Sequence, residues 1–98
     1  MRKVKVTYYG LIRNMPGNQE EEISLLGEAT VKDLLHLLVE RHGDEFRASI
    51  LTSDWQLQPT TIIQLSGCNI SEIDGINTKL EDNAELSITA MSYMISGG

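Results

Sequence analysis

The chain has 98 residues, 41% of them apolar and 22% charged, with a formal net charge of -6. That is enough for one domain with one core, and such acidity without a Lys/Arg cluster excludes a nucleic-acid binder, because a polyanionic duplex would be repelled. A lone cysteine, Cys68, excludes an intramolecular disulfide and fits a reducing compartment, and no apolar run approaches the ~18 residues of a membrane span.

The first residues, Met1-Arg2-Lys3, lead straight into a strand pattern without the apolar core of a signal peptide. A soluble, cytoplasmic protein with no membrane partner is therefore expected. Residues 3–9 alternate with period two, which puts Val4, Val6 and Tyr8 on one face and Lys5, Thr7 and Tyr9 on the other. Met15-Pro16-Gly17-Asn18 reads as a turn. Glu20–Leu25 alternates again with Ile23 and Leu25 inward, so residues 3–25 form a hairpin. Its acidic run, Glu20-Glu21-Glu22, suits a basic protein partner but is more simply a solvated face.

Thr30 is placed to cap a helix, with Asp33 at the positive end of the helix dipole. Val31, Leu34, Leu35, Leu38 and Val39 share one helical face, and Gly43 stops the helix. Residues 44–60, with Trp55 and Pro59, read as an irregular connection containing a short strand. Thr60–Leu65 is β-branched and apolar, hence a central strand that turns at Ser66-Gly67. Ile73-Asp74-Gly75-Ile76 and Glu81-Asp82-Asn83-Ala84 read as turns. Glu85–Met91 is the last strand, with Leu86, Ile88 and Ala90 on one face. No repeat or linker interrupts residues 1–98. The order of hairpin, helix, strand, short crossing segment, final strand and tail is that of an α+β β-grasp, ubiquitin-like fold, a mixed sheet packed on one main helix.

The tail, residues 93–98, ends Ser96-Gly97-Gly98. At average glycine usage a terminal Gly-Gly occurs by chance in roughly one chain in 200. An arm without side chains can thread a narrow channel and offer its carboxylate, and the missing Cβ removes bulk at the reacting carbon.

Other constellations are weaker. His36 and His42 lie about 240° apart around a helix, so they do not share a face and read as surface histidines rather than a metal pair. Cys68 has no evident His/Asp partner and reads as a partly buried structural cysteine. A phosphate-cradling glycine loop is absent, so the sequence offers no nucleotide-binding motif of its own. Alternation puts Tyr9, Met91 and Tyr93 on the faces opposite the core residues, where they would form an exposed apolar docking patch beside the tail.

Together these segments resemble the MoaD/ThiS family of sulfur carriers, MoaD more than ThiS, over nearly the whole chain. The residues that carry the resemblance are Val4-Lys5-Val6-Thr7-Tyr8-Tyr9-Gly10, Thr30-Val31-Lys32-Asp33-Leu34-Leu35, Leu65-Ser66-Gly67, Leu80-Glu81-Asp82-Asn83-Ala84-Glu85-Leu86 and Ser96-Gly97-Gly98. The family usually reads Leu-x-Asp-Gly-Asp-Glu-Val at the fourth of these. Asn83 stands for the turn glycine and tolerates the left-handed region. Where the family commonly has Phe-Pro-Pro-Val, this chain has Ser92-Tyr93-Met94-Ile95, without the prolines that fix an extended geometry.

The resemblance implies that Gly98 is adenylated by a ubiquitin-activating-type adenylyltransferase using ATP and is then converted to a thiocarboxylate. The chain itself would bind no cofactor or metal and would be a protein co-substrate rather than an enzyme. The sulfur would pass to a molybdopterin synthase large subunit or another acceptor. Gly97, Ser96, Ile95, Tyr93, Met91 and Tyr9 are the expected partner-binding residues. Two further classes stay open: a ubiquitin-like modifier conjugated through Gly98, and a passive β-grasp regulatory module. Within the carrier class, sulfur transfer to thiazole or another small molecule stays open too.

Overall fold

A computed structural model describes residues 2–13, 17 and 19–91. Strands β1 (Arg2–Gly10) and β2 (Glu20–Leu25) pair antiparallel, with Val4 opposite Ile23 and Arg2 opposite Leu25. The hairpin expected over 3–25 is thus present; of its turn only Gly17 lies among the described residues. A two-residue strand β3 (Ala29–Thr30) then leads into helix α1 (Val31–His42). The Thr30 hydroxyl accepts from the Asp33 amide while the Asp33 carboxylate accepts from the Thr30 amide, a reciprocal cap that satisfies donors the first turn leaves open. Gly43, at φ 94°, closes the helix with its amide on the Val39 carbonyl.

The stretch expected to be an irregular connection instead begins with a second helix, α2 (Asp44–Ile50). Asp44 and Glu45 sit in its first turn, and Phe46 and Ile50, four apart, share one buried stripe. The short strand expected there is a single bridge between Leu51 and Leu57 across a tight loop. Within that loop Thr52 organises the backbone, its hydroxyl accepting from the Asp54 and Gln56 amides. Trp55 is held at φ 62°, a region a bulky residue rarely enters.

Strand β4 (Thr61–Leu65) turns through Ser66-Gly67, both at positive φ, into β5 (Cys68–Asn69). That is the two-residue hairpin turn whose twist matches its strands. Two 3₁₀ turns follow, Ile70–Glu72 and Gly75–Asn77, the second taking in Gly75 and Ile76 of the turn expected over 73–76. Strand β6 (Lys79–Leu80) pairs with β3, and Asn83 takes the left-handed conformation expected of it, at φ 65°, before β7 (Ala84–Ala90).

The main sheet has the order β2-β1-β7-β4-β5. Its first and last long strands, β1 and β7, run parallel at the centre, Val6 beside Leu86 and Tyr8 beside Ile88. Parallel neighbours cannot be joined by a tight turn, so the whole intervening chain, including both helices, forms the crossover. One sheet face buries Val4, Val6, Tyr8, Ile23, Ile63, Leu86, Ile88 and Ala90 in a core shared with Leu34, Leu35 and Leu38 of α1 and with Phe46 and Ile50 of α2. Residues of opposite parity, among them Lys5 and Tyr9, face away from that core.

Candidate functional site

The site is the end of β7, where the described chain hands over to the tail. Gly10 sits beside Ala90 in the parallel register, at φ 76°. A Cβ there would lie 2.1 Å from the Ala90 carbonyl oxygen, so the close approach of β1 to β7 needs glycine. That carbonyl accepts from the Leu11 amide at 2.7 Å, and the Met91 amide donates to the Thr60 carbonyl at 3.0 Å. The exit is therefore fastened on both sides, to β1 and to the start of β4.

Of the three residues expected to form one docking patch, Tyr9 and Met91 are described, at 44% and 45% exposure. They line different depressions. Tyr9 borders one on the open sheet face with Thr7, Gln64 and Ser87, and Met91 borders another with Leu11, Pro59 and Thr60. Tyr93, Ile95, Ser96, Gly97 and Gly98 lie outside the described residues.

Two expectations about titratable residues are corrected. Cys68 is exposed rather than partly buried, because it lies on the short edge strand β5, just past the turn. His42 is not a surface histidine. Only 11% of its side chain is exposed, and its Nε2 lies 2.6 Å from Glu21 Oε2. The same oxygen accepts from the Tyr8 hydroxyl at 2.5 Å, and Arg41 donates to Oε1 at 3.0 Å. Glu21 therefore does not belong to a wholly solvated acidic face. It joins β1, β2 and the end of α1, with Phe46 edge-on to Tyr8.

Burial works to raise the Glu21 pKa, but hydrogen bonds from Tyr8, His42 and Arg41 outweigh it and hold the carboxyl below the usual glutamate range. An ionised carboxylate only accepts, so the His42 nitrogen facing it carries the proton. Burial first, then the hydrogen bond and charge of Glu21, push the Tyr8 hydroxyl far above its ordinary value. The sequence signal for this cluster is parity: Glu21 alternates with Ile23 and Leu25, both of which point inward.

His36 is exposed, as expected, and stacks on Trp55 with ring centroids 3.9 Å apart. Among the described residues no group of three or more His, Cys, Asp or Glu side chains is arranged to hold a metal ion, and no helix is long and apolar enough to cross a membrane.

No protein-family model and no curated protein matches the sequence. Solved structures do. A Pyrococcus furiosus protein described as molybdopterin converting factor subunit 1 is 25% identical, with TM-score 0.74 over 94% of this chain and 100% of that one. The Haloferax volcanii small archaeal modifier protein 1 is 16% identical, with TM-score 0.80 over 94% and 100%. The Amycolatopsis orientalis BexX/CysO complex matches at 20% identity and TM-score 0.72, covering 97% of this chain and 99% of that one.

The mixed sheet with parallel central strands, closed over α1, is a ubiquitin-like β-grasp fold. Within that fold the neighbours include a molybdopterin converting factor subunit and a small archaeal modifier protein, so the resemblance to the MoaD-like family seen in the sequence holds in three dimensions.

Proposed function

We propose that the protein is a MoaD-like sulfur carrier, activated at Gly98, whose sulfur is built into a pterin dithiolene for molybdenum or tungsten cofactor. The observation that carries this reading is the fastened end of β7, beyond which eight residues, 91–98, lead to Ser96-Gly97-Gly98. Likeness to the Pyrococcus furiosus converting factor subunit supports it.

A carboxylate is a poor electrophile, its charge being shared by two oxygens. Attack of the Gly98 carboxylate on the α-phosphorus of ATP, bound by the activating partner, expels pyrophosphate and forms an acyl adenylate. The terminal sulfur of a persulfide attacks the acyl carbon and AMP leaves, giving an acyl disulfide. A second thiol reduces its S–S bond, becomes disulfide-linked itself, and releases the thiocarboxylate. The carrier supplies an unhindered reacting carbon and a body for docking, and the partners supply the catalytic groups.

The neighbour named as a modifier favours a second reading, conjugation of Gly98 to lysine amines of other proteins. Intact-mass measurement on the protein from cells separates the two. Replacement of one terminal oxygen by sulfur is expected for the carrier, and high-mass conjugates for the modifier. Removing Gly98 is expected to abolish ATP-dependent adenylation, and a truncated chain that is still adenylated and thiolated overturns both readings.

A further inference from the structure

Beside the exit of β7 lies an open groove of about 370 Å³. Leu11, Met91 and Pro59 border it, with Ala48 of α2 and Thr60. Its two large apolar side chains, Leu11 at 57% and Met91 at 45%, are substantially exposed although both adjoin the ends of central strands. Met91 is also the residue from which Ser92–Gly98 departs, and its amide is tied to Thr60, so the departing chain is rooted on the rim of the groove.

The seven residues beyond Met91 span at most about 25 Å when extended. Three consecutive ones, Tyr93, Met94 and Ile95, are apolar, and the first of them is two residues from the rim. A ligand tethered this closely meets its site at an effective concentration on the order of millimolar. A contact too weak to hold a free peptide therefore suffices.

We propose that the groove between Leu11, Met91 and Pro59 is an intramolecular docking site for the chain's own Tyr93–Ile95 segment. It seats the segment against α2 and holds Gly97-Gly98 near the body until a partner draws the tail out. The seat itself is independent of the sulfur-carrier reading; only its bearing on activation rests on that reading.

The test is solution NMR on the full 98-residue chain. Nuclear Overhauser contacts are expected from the Tyr93 ring to the methyl groups of Leu11 and Ala48. Amide exchange at Met94 and Ile95 is expected to be at least about tenfold slower than for an unprotected chain. Leu11→Asp, at an exposed position, is expected to remove both signals with the unfolding midpoint retained. A triple Tyr93→Ser, Met94→Ser, Ile95→Ser variant keeps the groove intact and is expected to shift the Leu11 and Ala48 resonances. The same contacts appearing between differently labelled chains in a mixed sample place a second copy in the groove and overturn the proposal. So does unprotected exchange without contacts in the native chain. A chain that shows the intrachain contacts and yet is never adenylated supports the seat and refutes the carrier reading, so the two fail separately.

Discussion

A Cβ on Gly10 would lie 2.1 Å from the carbonyl oxygen of Ala90, inside any real contact distance. The obstacle is backbone, so no side chain can swing aside to relieve it. Gly10→Ala adds left-handed strain at φ 76°, of order 1–3 kcal/mol, to that clash. The expected result is a loss of at least about 2 kcal/mol in denaturant unfolding, together with exchange of the Leu11 amide, which the Ala90 carbonyl otherwise protects. A variant of native stability would show that β1 and β7 separate easily at this end.

Glu21 makes stability depend on pH. Its carboxyl titrates lower in the folded protein than the ordinary 4.5, so its contribution is fully present above that ordinary value and disappears as pH falls through the depressed folded value. Glu21→Gln should lower stability at neutral pH by about 1–3 kcal/mol, because charge-assisted bonds from Tyr8, His42 and Arg41 are weakened. It should also flatten the loss of stability as pH falls from the ordinary glutamate value through the lower folded one. Denaturation curves across that range check both, and parallel curves for the two proteins would remove Glu21 as the source.

Leu35 and Leu38 are fully buried on the face α1 turns to the sheet. Truncating either to alanine should cost about 2–5 kcal/mol, a large share of the stability of so small a domain. Thermal unfolding reads this directly, and negligible shifts in both would mean that the space collapses around the missing atoms.

Tyr9 stands exposed on the open sheet face, opposite the buried Tyr8. If that face receives the activating partner, Tyr9→Ala should weaken affinity by about 30-fold, the equivalent of about 2 kcal/mol for an aromatic anchor. Tyr93→Ala is expected to do the same. Titration calorimetry against the adenylyltransferase measures it. Native affinity in both variants would remove Tyr9 and Tyr93 as anchors and move the docking surface elsewhere.

The strands and α1 are legible from the residues alone because their signals are local. Period-two alternation over β1, β2 and β7 and the Thr30/Asp33 cap depend only on neighbours a few positions away. Helix α2 is not legible in that way. Seven residues give about two turns, too short for a clear period, and so short a helix draws its stability from packing Phe46 and Ile50 into a core built by distant segments. Trp55 is a further case. Its backbone conformation is one a sequence reader would assign to glycine or asparagine, and it is held there by the Thr52 turn, with its ring stacked on His36.

The bareness of the Ser96-Gly97-Gly98 segment is written in its covalent structure, since a missing Cβ is a property of the glycines themselves. The surroundings of its root are not. Leu11, Ala48, Pro59 and Met91 are scattered along the chain and meet only because parallel pairing of β1 with β7 and the packing of α2 bring their segments together. The Glu21 cluster has the same origin, a strand residue joined to the end of a helix twenty positions on. Contacts between remote positions are chosen by the competition among all ways of burying the apolar surface, and that competition is resolved only when the chain folds as a whole.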